Sequence, residues 1–266
     1  MITFGQNVYI PDANFKNYLV NNAAINTNGD SEIQVSEANS FDGQIQIFEQ
    51  YISDLTGLEA FTSLTKLILQ DNSIFNIDVS QNIALEILVC ADNYLTSLDV
   101  SQNIALTKLY CNQNQITSLD VSNNISLTLL SCFSNQITKI DVSQNTNLEG
   151  LSVSNNQLIC LKMANGNNIN IANFEAFLNP NLSCIEVDDV NYSTINWTYI
   201  DTQHYFSSNC NNSCPNISGN SELNNAPKQL IKIVDVLGKE TPFKPNTPLL
   251  YFYDDGTVKR KVIIKK

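Results

Sequence analysis

The chain has 266 residues, a formal net charge of −12 and only 15% charged residues, so its polar surface is built from Asn, Gln, Ser and Thr. Residues 1–227 carry 5 Lys/Arg against 22 Asp/Glu (−17), whereas residues 228–266 carry 9 against 4 (+5). An acidic body argues against a nucleic-acid partner, no apolar run reaches the roughly 18 residues of a membrane span, and MITFGQNVYIP is too short for a secretory leader.

The first expected element is a helix. In IPDANFKNYLVNN, Asp12 stands at an N-cap position and Phe15, Tyr18 and Leu19 share one helical face, which predicts a short helix over 13–22 covering the open end of whatever follows. The next stretch, INTNGDSEIQVSEA, puts Asn26, Asn28, Asp30, Glu32, Ile33 and Glu37 at places 1, 3, 5, 7, 8 and 12 of a twelve-residue loop. That spacing resembles a single EF-hand-like calcium loop, and the resemblance implies Ca²⁺ held by Asn26, Asn28, Asp30, Glu32 and Glu37. Asn at place 1 and Ser31 in place of Gly at place 6 depart from the pattern, and a plain Asn/Asp/Gly turn before a strand is the alternative. Residues 1–41 thus read as an N-terminal cap, and an irregular first rung follows with Ile45, Ile47, Ile52 and Leu55 inward.

From Leu64 to Met163 the chain repeats every 21 residues without insertion: LTKLILQDNSIFNIDVSQNIA, LEILVCADNYLTSLDVSQNIA, LTKLYCNQNQITSLDVSNNIS, LTLLSCFSNQITKIDVSQNTN, LEGLSVSNNQLICLKMANGNN. Numbered from the first Leu, places 1, 4, 6, 11, 14 and 16 are apolar in all five units. Place 9 is Asn72, Asn93, Asn114, Asn135 and Asn156; place 19 is Asn82, Asn103, Asn124 and Asn145, with Gly166 breaking the series. A fixed period with an apolar strand and a turn residue marks a solenoid, in which stacked neighbours supply the core that no unit can build alone. The pattern LxxLxLxxN, nested twice per unit, resembles the 21-residue form of the leucine-rich repeat and assigns 42–166 to repeats. The Asn columns are expected to satisfy backbone groups at each turn and to bond one another along the stack.

Beyond Gly166 the period fails. Residues 167–206 read as a C-terminal cap of short strands and one helical turn, and 207–227 as a polar linker. Residues 228–266 show three strand-like runs, the last two joined at Asp255-Gly256, a hairpin signal. The string LIKIVDVLGKE with a hairpin and a basic last strand resembles the C-terminal sorting domain of type IX secretion cargo in Bacteroidetes-type bacteria. That resemblance implies export by the type IX machinery and a secreted or outer-surface protein whose leader lies outside this sequence.

Of seven cysteines, Cys90, Cys111 and Cys132 occupy the inward place 6 of consecutive units and read as core hydrophobes. Cys184 and Cys210 bracket the cap as a candidate disulfide, leaving Cys160 and Cys214. No nucleophile elbow, metal-ligand pair or phosphate loop accompanies the single His204, so no catalytic residue is assigned and no enzyme is expected. Asp78, Asp99, Asp120 and Asp141 at place 15 form a regular ladder, read as a solvated stripe on a second sheet accepting backbone hydrogen bonds. On the first sheet, places 3, 5 and 7 point outward and bring Ile68, Ile87, Val89, Tyr110, Leu129 and Phe133 to the surface, an apolar island centred on Tyr110 and Phe133. The expected fold class is therefore an α/β-type solenoid dominated by β, with parallel rungs, an N-terminal helical cap and a small all-β tail. Its expected role is recognition of a protein or glycan partner on the repeat face. A calcium-stiffened adhesive scaffold and, with less support, a secreted hydrolase are the competing readings.

Overall fold

Asp12 starts the first helix as its position predicts. The computed structural model, which describes residues 6–210 and three strands beyond them, places α1 at Ala13–Val20, where the Asp12 carboxylate accepts from Asn14 N at 2.9 Å and Phe15 N at 3.0 Å. The second oxygen of Asp12 accepts from Ser53 N at 3.0 Å and Asp54 N at 3.3 Å, tying the cap to the first coil. Phe15 and Leu19 are buried, and the Tyr18 hydroxyl accepts from Gln46 N at 3.0 Å. This bond occupies a donor that the end strand would otherwise leave unpaired. A second helix, α2 (Val35–Ser40), follows where a strand was the alternative expectation.

One sheet runs the length of the stack. Its strands are β1 (Gln44–Gln46), β2 (Lys66–Ile68), β3 (Ile87–Val89), β4 (Lys108–Tyr110) and β5 (Leu129–Ser131), then, past β6 (Lys139–Asp141), β7 (Gly150–Ser152), and, past β8 (Cys160–Lys162), β9 (Asn173–Glu175). They pair in parallel in the order β1-β2-β3-β4-β5-β7-β9, so Leu67, Leu88, Leu109, Leu130 and Leu151 lie side by side and are buried. After β2, β3, β4, β5 and β7 the chain leaves the sheet through a residue at place 8 with φ between 53° and 56°: Asp71, Asp92, Gln113, Ser134 and Asn155. Small polar residues suit this left-handed backbone, and four of the five are Asp, Asn or Ser.

The place-9 Asn then stitches neighbouring coils. Asn93 donates to Leu69 O at 2.9 Å and Ala91 O at 3.0 Å, and its Oδ1 accepts from Ile74 N at 3.0 Å; Asn114 and Asn135 repeat the pattern one and two coils on. The place-19 column works differently. Asn103 donates at 2.9 Å to both Val79 O and Asn82 O, while the buried Oδ1 atoms of Asn82, Asn103, Asn124 and Asn145 meet no protein donor. Asn side chains therefore bond the backbone of the preceding coil, and the expected side-chain-to-side-chain ladder is replaced by this amide-to-carbonyl one.

The second sheet is shorter than the sequence suggested. It comprises β6, β8, β10 (Cys184–Glu186) and β11 (Tyr205–Ser207), and places 13–15 of the first three repeats are extended without strand pairing. Like charges side by side disfavour pairing, and the Asp ladder lines up Asp78, Asp99 and Asp120 on successive coils. Pairing begins where Lys162 replaces Asp and sits opposite Asp141, their charged ends 3.9 Å apart.

The coil continues past Gly166 although the sequence period does not. Asn179 takes the place-9 role, accepting from Leu158 N at 3.2 Å and donating to Val153 O at 3.1 Å. The end is closed by α3 (Val190–Asn196) and by buried Trp197, whose ring centroid lies 4.4 Å from that of Phe174 and whose Nε1 donates to Ile171 O. The predicted disulfide Cys184–Cys210 is present, Cys160 is also disulfide-bonded, and Cys90, Cys111 and Cys132 are free and buried. Cys160, on β8, is fully buried.

The chain divides into two compact units, Met1–Ile217 and Ser218–Lys266. In the second, β12 (Leu230–Val234), β13 (Leu249–Tyr253) and β14 (Val258–Lys261) form an antiparallel sheet in that order. These are the three strand-like runs of the sequence; the Asp255-Gly256 turn itself lies outside the described residues. Among the described residues no helix is long and apolar enough to cross a membrane.

Candidate binding face

The outward residues of the first sheet form lanes set by the strand register. Ile68, Val89 and Tyr110 follow one another in one lane, and Ile87, Lys108, Leu129 and Gly150 in the next. Lys108 thus separates Ile87 from Leu129. Ile68 is buried, and Ile87, Val89, Tyr110, Leu129 and Phe133 are half-buried because they cover one another and the strand backbone. Phe133 stands beyond the end of β5, and no ring contact joins it to Tyr110 among the described residues. The expected island is accordingly a ribbon with Tyr110 at its end.

Next to that ribbon the face is hollow. Tyr110, Leu129, Ser131, Gly150, Ser152, Asn173 and Glu175 line a depression of about 270 Å³. Gly150 makes the hollow, for it fills a place held by Lys66, Ile87, Lys108 and Leu129 in the other repeats. A Cβ there would meet Leu129 at 3.7 Å and Asn173 at 3.9 Å, ordinary contact distances, so packing does not require the glycine. One wall is apolar. The other is polar, with Ser152 Oγ donating to Glu175 Oε2 at 3.0 Å. In the sequence its signal is a single Gly in an outward lane of larger residues, and a lone glycine reads first as a backbone feature. A wider groove of about 640 Å³ between Thr128, Thr146, Glu149 and Asn170 is almost wholly polar and offers Ala172 as its one apolar wall residue.

Other apolar groups are far more exposed than the predicted six. Phe75 and Tyr94 lie on the turns that leave the sheet, and Ile83, Ile104 and Ile125 line the turns on the opposite edge.

The candidate calcium residues are brought together by hydrogen bonds of their own. Glu37 is buried; Oε1 accepts from Thr27 N at 2.8 Å, Thr27 Oγ1 and Asn28 N, and Oε2 accepts from Gln34 N at 3.0 Å at the start of α2. Asp30 accepts from Glu32 N, Asn28 Nδ2 and Gln34 Nε2, and Asn26 Oδ1 accepts from Gly29 N. Glu32 turns away to pair with Lys16 at 2.6 Å. The closing carboxylate faces N–H and O–H donors and Glu32 points toward Lys16, so in this structure the loop is a hydrogen-bonded turn closed by Glu37.

His204 is buried at the end of the stack. Its Nδ1 accepts from Asp201 N at 3.3 Å, which leaves Nε2 to donate to Asn179 O, so it serves the end of the Asn column. The place-15 carboxylates accept from the backbone two residues on: Asp78, Asp99, Asp120 and Asp141 each bond Ser80, Ser101, Ser122 and Ser143 N at 2.9 Å. Those bonds hold the Asp78 and Asp99 carboxyls below the usual range.

No protein-family model and no curated protein matches the chain. Solved structures do. An internalin, InlF, from Listeria monocytogenes aligns over 78% of this chain and 74% of its own with a TM-score of 0.53 at 17% identity. The chain has the leucine-rich repeat fold. Internalin C2 of the same organism aligns over 75% of this chain and 97% of its own, with a TM-score of 0.47 at 14% identity. The functional domain of its InlJ, described as including a cysteine ladder, aligns over 77% and 62% with a TM-score of 0.33 at 24% identity. At such identities the InlF match speaks to fold alone, and no argument rests on the other two. For a leucine-rich repeat chain the lane register described above is the surface that varies between units while the interior stays constant.

Proposed function

We propose that this is a recognition protein that takes a protein or glycan partner at the first-sheet depression, without chemical turnover. The depression itself carries the reading: a hollow with one apolar and one polar wall, on a parallel sheet held by bonded coils on both sides. A preordered surface of this kind loses little conformational entropy when a partner docks, and solenoids commonly present such extended faces for binding. Tyr110 supplies the aromatic anchor, and Glu175, Ser152 and Asn173 supply the groups that orient a polar partner. Residues 228–266 we read as the export address, supported by their three-stranded sheet and their charge of +5 beside an acidic body. This reading makes the protein secreted or displayed on the outer surface.

The test compares immobilised full-length protein with Gly150→Leu, which fills the hollow without a backbone penalty, and with Asp99→Ala/Asp120→Ala on the second side. Surface-extract proteins retained by the parent and by the Asp variant but lost by Gly150→Leu support the reading. Retention by all three overturns it. Efficient export of a chain lacking 228–266 from its native host would dispose of the sorting proposal independently.

A further inference from the structure

The turns that leave the first sheet form one long edge, and its composition changes abruptly along the rod. Place 11 is buried in every turn and place 9 in all but the third, where Asn114 is half-buried, so places 8, 10 and 12 face outward there. In the third to fifth repeats these places hold Gln113, Gln115 and Thr117, then Ser134, Gln136 and Thr138, then Asn155, Gln157 and Ile159. In the first two they include Asp71, Phe75, Asp92 and Tyr94, and the coil before them adds Glu49 and Tyr51. Phe75 and Tyr94 stack with ring centroids 5.1 Å apart and planes 20° from parallel, yet they remain 58% and 46% exposed; Tyr51 is 81% exposed. Sheet packing does not call for aromatics here, since other coils carry Gln and Thr at the same places.

The surroundings specify the ligand. No Lys or Arg occurs anywhere from residue 67 to 107, while Asp71, Asp78, Glu86, Asp92 and Asp99 do. The aromatic faces therefore have no cation of their own chain along this stretch, and the field around them is negative. Asp92 is flanked by Gln70 and Gln113, which donate to its two oxygens. Its carboxyl is pushed up by partial burial and by Asp71 beside it, the repulsion a bound cation would relieve. Exposed aromatic rings attract ammonium and guanidinium groups over their faces, and carboxylates at the ring margin pair with the same groups. A wholly apolar partner would leave those carboxylates desolvated, and an acidic polysaccharide would be repelled.

We propose that the Phe75–Tyr94 stack, with Tyr51 on the same edge, is a docking surface for a cationic, Arg- or Lys-rich polypeptide segment, distinct from the first-sheet depression. The basic side chains lie against the rings and pair with Asp71 and Asp92. Long-range attraction from the acidic body speeds the encounter, while the rings give the contact its position.

The experiment measures fluorescence anisotropy of a labelled (Arg-Ser)₅ peptide with full-length protein at 50 and 200 mM NaCl. The decisive variant is Phe75→Thr/Tyr94→Gln, which installs residues that other coils carry at these places and so retains the fold, checked by an unchanged thermal melt. A loss of about tenfold or more is expected from it and from Asp71→Asn/Asp92→Asn. Asp120→Asn/Glu149→Gln, which removes the same charge outside this stretch, should cost less than about twofold. Equal losses from the two charge-removing pairs, or no loss from the aromatic pair, would reduce the binding to non-specific attraction and overturn the proposal. Binding of cellohexaose that needs the aromatics, with peptide affinity tracking net charge alone, would assign the edge to a neutral glycan and overturn it equally.

Discussion

Two asparagines that look equivalent in the sequence should differ sharply in what they contribute. Asn93 and Asn103 are both buried, Asn103 the more completely, at 0% exposure against 6%. If burial governs, Asn103→Ala is the more damaging substitution. The hydrogen bonds argue the reverse. Asn93→Ala strips Ile74 N of its acceptor inside the core, a cost of about 1–3 kcal/mol on top of the bonds lost from Nδ2. Asn103→Ala removes donors from Val79 O and Asn82 O, but those carbonyls still accept from Asn82 N and Leu85 N at 3.0 and 3.1 Å. It also deletes an Oδ1 that has no protein donor, a group whose burial costs about 1–3 kcal/mol. The volume lost is the same in both, so the cavity contribution cancels to first order. Asn93→Ala should therefore be the less stable by about 2 kcal/mol or more. In a repeat body of about 200 residues that difference separates the melting temperatures by about 4–8 °C. Thermal and urea melts followed by circular dichroism measure it. An Asn103 variant as unstable as the Asn93 variant would show that the amide ladder is valued for burial and shape, not for which backbone groups it leaves bonded.

Other consequences are simpler. Partial burial opposes ionisation of Asp12, but the N–H groups of Ser53, Phe15, Asp54 and Asn14 outweigh it and hold its carboxyl below the usual range. Its contribution is thus complete above the unfolded carboxyl pKa and is lost as pH falls through the lower folded value, below about pH 4. Asp12→Asn should lower the melting temperature at pH 6 and narrow its gap to the parent by pH 2.5; a constant gap would contradict the assignment. Burial pushes the Cys90 and Cys132 thiols up to about 12, and Cys111 well above its usual value, so Ellman's reagent should not reach these three thiols until the chain unfolds. Fast native labelling would mean that this column opens. Glu37→Ala should cost about 2 kcal/mol or more by releasing three backbone N–H groups, and millimolar calcium should not alter the melt of the parent. A calcium-dependent rise abolished in that variant would restore the metal reading of the loop.

What could be read beforehand was whatever the period enforced. Places 1, 4, 6, 11, 14 and 16 fixed which side chains lie inside, and the strands β2 to β5 and β7 followed from the Leu at place 4. Features that depend on one rung facing another were not legible. The second sheet waits for Lys162 opposite Asp141, a pairing visible only once the stack is built. As a letter, Glu37 matches a metal-ligand position, and the N–H groups it accepts from across the loop are visible only in the folded chain. Facing outward is not the same as being exposed: side chains on a sheet shade one another, as Ile68 shows, whereas Phe75 and Tyr94 stand out on the turns.

The cross-coil bonds of the place-9 asparagines give the molecule a length that can change in whole steps. Every seam joins the same pair of partners, an Asn oxygen and the N–H nineteen residues before it, from Ile74 through Ile137. Cutting out residues 85–105 would bring Leu106 onto Ala84 and hand the Ile74 N–H from Asn93 to Asn114, with no new interface to solve. Each such excision or duplication shortens or lengthens the stack by about 4.8 Å and removes or adds one residue in every outward lane at once. Unequal recombination between units can therefore reshuffle the binding lanes while the interior stays unaltered, so the span of the surface and the pattern written on it evolve separately from the stability of the fold.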